Sequence, residues 1–551
     1  MMGWIVTLYG FLSVLIRGLV LSAQSLALGG VVFFLAVVPP ELKMLDSISY
    51  PILRWIRRWA LILAAAEILY VALDIAILMK SGEFTIGEVM SANFALAGFL
   101  ACTSALAIAI LASVGRTRRH LDLIVPSALI LTATTMTSHA TARLDHRLLL
   151  AVLTAAHQAA IAAWIGGLPY LLISLKRLST PGMIQELCTK FSRLAMFSVA
   201  LLVAAGFGLA KVYVGSWDAT YGTTYGIMVV GKIFLFGILL SLGSLNFRIV
   251  RQRLGDAESS FHLLQHFGEV EIGVGFTVIL LAASLTSLAP AVDTPQPALP
   301  TIGVAKQLVP QWPPPQIIPE SHATTHGTDQ LPAKLAAPKP TATESSTPPI
   351  LPAPSGMLAE EGWMGDPHHW AALVVIPVGL LALLGRSKLF RYAQNWPLLF
   401  AVLGLVLLLM SDSQYWPLGA DSFWSSFLDP IVLPHRIIEV LIAVFGIFEW
   451  RVQTQRVTST GAGLVFPGLV ALCSALLLTH SHSVSDSQVQ PELVSEVSHV
   501  SIAILGVAGG WSRWLELRLP SKDRMRHVMS WIWPVCFLLV GVLLATYQGS
   551  S

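Results

Sequence analysis

The chain repeatedly strings together about twenty consecutive apolar residues, enough in each case for a helix to cross a hydrocarbon core of about 30 Å. Inside such a core every backbone N–H and C=O must be satisfied within its own segment, and for runs of that length only helices achieve this. Composition agrees: 55% of residues are apolar and 12% charged, against roughly 25% charged in soluble domains. A soluble enzyme is thereby excluded. The expected fold class is all-α, a polytopic membrane protein of about 14 transmembrane helices in two bundles of eight and six. The first run has no basic flank before it and carries Arg17 at its middle, so it reads as a retained helix and not a cleaved leader.

The eight spans of the first bundle are expected near 11–38, 56–79, 92–113, 121–138, 148–174, 194–213, 226–246 and 269–289. The six of the second are expected near 370–385, 394–411, 432–450, 461–480, 494–512 and 527–547. Between residues 291 and 360 the chain turns to Pro, Ala, Thr and Ser, with 15 of its 32 prolines there, which predicts an extended linker. The expected domains are therefore 1–290, a linker at 291–365, and 366–551. Alternate loops hold 24 and eight of the 34 Lys and Arg residues. The richer side is cytoplasmic by the positive-inside rule, so both termini and the linker face outward.

Ionisable groups inside spans are costly and mark candidate sites. On this topology His139, His157, His435, His480, His482 and His499 all fall on the outward half. Neutral imidazole suits copper or zinc, so His139 and His157 read either as ligands to an ion entering from outside or as hydrogen-bonded packing residues. His157 and Trp164 are seven apart and share a helical face. Gly166 and Gly167 follow, allowing close helix approach. Arg193 with Glu269 or Glu271 forms an expected ion pair at the inner end, and Lys232 is either a snorkelling side chain or part of a transport path.

In the second bundle Glu496 and His499 are at i, i+3, and His435 and Glu439 at i, i+4, while His480 and His482 close a span. These residues suggest a metal site built from facing helices; a haem with two axial histidines and plain interfacial histidines stay open. Cys102, Cys188, Cys473 and Cys536 form no CxxC pair, so neither a disulfide scaffold nor a zinc ribbon is expected. No P-loop, GxSxG, HExxH or dinucleotide fingerprint occurs, and the reading is not an enzyme.

Four motifs on successive helices carry a resemblance. His157-Gln-Ala-Ala-Ile-Ala-Ala-Trp164-Ile-Gly166-Gly167-Leu-Pro, Phe191-Ser192-Arg193-Leu-Ala195, Tyr225-Gly226 through Lys232, and Glu271-Ile-Gly273 ending in Leu285-Thr286-Ser287-Leu-Ala-Pro290 resemble the membrane domain of the copper resistance protein D (CopD) family. The resemblance covers about 120 to 290, and the second bundle is similar to C-terminal extensions of CopD-like proteins. It implies copper transport or homeostasis across a bacterial inner membrane, from periplasm to cytoplasm, with His139 and His157 as ligands. A periplasmic copper donor or cuproprotein is the implied partner besides the bilayer, and no nucleic acid is expected. Two alternatives accompany this reading: a membrane redox protein with haem or copper in the second bundle, and a protein that delivers copper to a periplasmic-facing cuproenzyme.

Overall fold

The computed structural model describes residues 2–80, 84–114, 120–143, 145–252, 257–293, 367–387, 391–412, 414–429, 432–459, 461–478, 489–521 and 523–546. The expected linker lies almost wholly outside the described residues, as do His480 and His482. The longer helices are, in order, α1 (Met2–Val32), α2 (Asp46–Lys80), α3 (Asn93–Ser113), α4 (Ile124–Met136), α5 (Arg147–Ile161), α6 (Pro181–Tyr213), α7 (Thr224–Gln252) and α8 (Ala257–Leu285). After the linker come α9 (Pro367–Leu384), α10 (Leu398–Met410), α11 (Leu433–Gln453), α12 (Val465–Leu477), α13 (Val489–Arg518) and α14 (Arg524–Ala545).

The fold is all-helical, with one isolated bridge between Tyr415 and Asp421 and no strand among the described residues. Nine of the described helices are long and apolar enough to cross a membrane, and three more are apolar but shorter. The helices at the eleventh and thirteenth expected spans form but fall outside both groups; α11 carries Arg436, Glu439 and Glu449, and α13 carries Glu496, Arg513 and Glu516. Large apolar side chains such as Phe99, Phe197, Phe207 and Phe234 are exposed on the outside of the bundle, as a hydrocarbon solvent allows.

Neighbouring helices pack along one another: α1 with α2, α2 with α3, α7 with α8, α10 with α11, α9 with α14, and α13 with both α12 and α14. The larger hydrophobic cluster extends from α1 through α8 into Ala475 of α12, Leu478 just after it, and Val500, Ala503 and Val507 of α13. A smaller cluster centres on Trp396, Phe466 and Trp533 in the second bundle.

Two positions show why small residues recur where helices meet. A Cβ on Gly29 would sit 2.2 Å from the Ala162 carbonyl oxygen, and one on Gly166 would sit 1.8 Å from the Ser25 carbonyl oxygen. Helix α1 and the end of α5 therefore touch backbone to backbone, which only glycine permits. At this contact α5 passes through a π turn (Ala162–Gly166) before continuing as Leu168–Leu175. The Tyr170 hydroxyl locks the same junction by donating to the Leu26 carbonyl at 2.9 Å.

Candidate functional site

The π turn places Trp164 in the interior, where its Nε1–H donates to Glu271 Oε1 at 2.7 Å. Asn246 Nδ2 donates to Glu271 Oε2 at 2.6 Å, so one carboxylate joins α5, α7 and α8. Glu271 is only 3% exposed, and an acid at that depth is tolerable because both oxygens accept short hydrogen bonds. Phe236 of α7 meets the Trp164 ring edge-on at 6.2 Å.

His157 lies along the same neighbour, within electrostatic reach of Lys232 on α7. Its ring faces α6, where a Cβ on Gly206 would come within 3.5 Å of Cε1. Its Nδ1 is buried without a well-aligned hydrogen bond, the Leu202 backbone being the hydrogen-bonding group beside the ring, and among the described residues Nε2 of His139 is likewise buried without a partner. The His139 ring sits edge-on to Tyr213 at 6.2 Å. Gly206 and Tyr213 are seven residues apart on α6, a displacement of about 10 Å along its axis, so the two imidazoles meet α6 two turns apart. Lys232 is half-buried and makes no hydrogen bond or ion pair among the described residues.

A polar seam joins this region to α1 and α4. Thr134 Oγ1 donates to Gln158 Oε1 at 2.8 Å, and Gln24 Nε2 donates to the same oxygen at 3.2 Å. Thr134 also lines a cavity of about 310 Å³ between α1, α2, α3 and α4, together with Arg17, Glu67, Tyr70, Asp74 and Met136. The sequence reading does not single out Glu67 or Asp74; an acid inside an apolar run is the signal that marks them.

The expected ion pair of Arg193 with Glu269 or Glu271 is not formed. Arg193 is exposed, and Glu269 is held by Arg518 of α13, with Nη2 at 2.7 Å from Oε1, and by Trp514 Nε1 at 3.2 Å. Glu271 is occupied by its two neutral donors. The physical reason is rotation: two residues apart on a helix, Glu269 and Glu271 face different directions, and neither faces the exposed side of α6.

In the second bundle Glu496 is buried, and His499 one turn later has the His368 ring at 6.1 Å. His435 is exposed on α11. The expected convergence of His435 with Glu439 is not seen, because Glu439 turns inward to Arg436 at 3.2 Å. Arg436 is 1% exposed and satisfied further by the Leu408 carbonyl at 2.7 Å and by Ser411 and Ser426. Among the described residues no group of three or more His, Cys, Asp or Glu side chains is placed to hold a metal.

The chain is 26% identical over 147 residues to the copper transport protein CutJ of Bacillus subtilis (strain 168), a stretch that is 26% of each protein. The chain thus matches about a quarter of that relative's length. No solved structure matches. Residues 185–285, which supply α6 to α8 and with them Gly206, Lys232, Asn246 and Glu271, match the family of copper resistance protein D.

Proposed function

We propose that this protein transports copper across a bacterial inner membrane, from the periplasmic to the cytoplasmic side. Residues 1–290 form the transporting domain in this reading, and residues 366–551 form an attached module that binds or delivers metal on the periplasmic side. The family match over 185–285 and the likeness to a protein named for copper transport support the cargo. The unequal distribution of Lys and Arg between alternate loops supports the orientation.

The observation that carries the reading is the presence of buried imidazole nitrogens without well-aligned partners at His157 and His139, beside α6 of the matched helices. In a neutral imidazole one nitrogen carries the proton and the other a lone pair, so an unpartnered nitrogen accepts copper in the tautomer that leaves its lone pair free. The two lie in succession along α6, so an ion is handed from His139 to His157 and is not held by both. Its way on toward the cytoplasm runs past Lys232, Trp164 and Glu271, the polar groups that follow between α5, α7 and α8.

Replacing His157 by Ala tests this directly. With the variant present in the membrane at wild-type amount, cellular copper accumulation falls to near the level of cells lacking the protein. Accumulation at the wild-type rate would remove His157 from the path.

A further inference from the structure

The cavity between α1, α2, α3 and α4 borders the start of the copper path, where Ser138 and Thr141 of its lining flank His139, but its acids lie on α2, away from both proposed copper ligands. Its lining runs from the middle of the helices toward the end of the bundle that carries the N-terminus: Arg17 at the middle of α1, Glu67 near the middle of α2 and Asp74 near its end, Asn93 at the start of α3 and Met136 at the end of α4. Asn93 is exposed, so the cavity reaches the surface there. Its volume of about 310 Å³ has room for several water molecules at about 30 Å³ each.

The charges inside do not balance. Arg17 is the one cation among the lining residues, and Glu67 and Asp74 are the acids. Arg17 is held by Thr137, with Nη2 at 3.2 Å from Oγ1, and by the Tyr70 ring at 5.5 Å; it forms no ion pair with either acid. Asp74 accepts a hydrogen bond from the Tyr9 hydroxyl at 2.9 Å, which favours its ionised form. Glu67 is 4% exposed and makes no hydrogen bond or ion pair among the described residues. Gly98 of α3 packs against the same face of α2, where a Cβ would meet Val71 and come within 4.0 Å of Glu67 Oε2. The remaining groups nearby are the Cys102 thiol on α3 and hydroxyls on α4, none of them charged.

With both acids ionised the cavity carries one net negative charge inside a low-dielectric bundle, which is costly. One bound proton removes it. Asp74 already has a donor, so the acid left to take that proton is Glu67.

We infer that Glu67 is a proton-binding site: its carboxylate takes one proton from water entering the cavity past Asn93 to become a neutral carboxylic acid, and returns it by the same route. The site binds and releases a proton reversibly whatever ion the neighbouring helices carry.

Infrared difference spectra of the full-length protein in lipid vesicles, taken on acidification and without copper, decide it. The wild type shows a carboxylic C=O band that grows on acidification and shifts in heavy water. The Glu67→Gln variant loses this band. Asp74→Asn, which removes the competing negative charge, keeps it but moves its midpoint to lower pH. Survival of the band in Glu67→Gln, or an unmoved midpoint in Asp74→Asn, overturns the assignment. Should Glu67→Gln fail to fold, the wild type alone suffices: a hydrophobic carbodiimide takes the proton of a carboxylic acid, and the carboxylate then adds to its central carbon, so Glu67 is modified increasingly on acidification, and absence of that modification overturns the assignment. No copper enters these readouts, so they stand or fall apart from the copper reading.

Discussion

At the scale of single residues, the interior of the first bundle is organised by which acids have donors. Glu271 has two, from helices on either side, and is a fixed cross-link. Replacing Trp164 by Phe keeps the ring and removes the Nε1–H, leaving Glu271 Oε1 without its donor. The expected cost is about 1.5–3 kcal/mol, the range for a hydrogen bond to a charged group, read as a lower unfolding midpoint in detergent. A Trp164→Phe variant as stable as wild type would show that this bond does not hold the three helices together. His157 presents the opposite case, an imidazole with an open nitrogen. That His157 and Trp164 belong to one side of α5 is readable from their seven-residue spacing. That Trp164 meets an acid 107 residues later is not, because nothing local encodes which helix lies opposite.

At the scale of elements, the junction of α1 with α5 is a contact of backbone on backbone. A Gly29→Ala substitution drives its Cβ into a backbone oxygen at 2.2 Å, and backbone cannot rotate away as a side chain would. The helices must separate, at an expected cost of about 1–3 kcal/mol or more, seen as a loss of folded protein in size-exclusion profiles and thermal melts. Gly87→Ala is the matched control, in a helical turn with nothing within 4 Å. There the same substitution raises helix propensity and is expected to be neutral or to gain about 0.5–1 kcal/mol. Equal behaviour of the two variants would contradict the backbone contact. The sequence marks Gly166 and Gly167 as a place of close approach, and the structure supplies the partner, Gly29, together with the π turn that brings the two backbones together.

At the scale of the whole molecule, the second bundle is not merely tethered to the first. Trp511 of α13 occupies the space a Cβ on Gly273 of α8 would need, and Val500 of α13 does the same at Gly231 of α7. Ser284 of α8 donates to the Leu478 carbonyl at 2.8 Å, and Arg518 clasps both oxygens of Glu269. A double-mutant cycle with Glu269→Gln and Arg518→Gln measures that clasp. Because both groups are partly open to solvent, a coupling of about 1 kcal/mol is expected. A coupling of zero would mean that α8 and α13 are held by apolar packing alone.

The sequence by itself determines that this is a helical membrane protein, where most of its apolar helices run, where Pro-rich composition interrupts them, and which ionisable residues fall inside apolar runs. Those properties follow from the cost of placing polar groups and open backbone in hydrocarbon, a cost each segment meets on its own. Only the tertiary structure decides what the trapped residues do. Among the described residues Glu269 is answered by Arg518 and not by Arg193, Glu439 by Arg436, and Glu67 faces a cavity. Partner choice depends on the rotation and depth of helices far apart in the chain, quantities set by packing against one another and absent from the periodicity of any one of them.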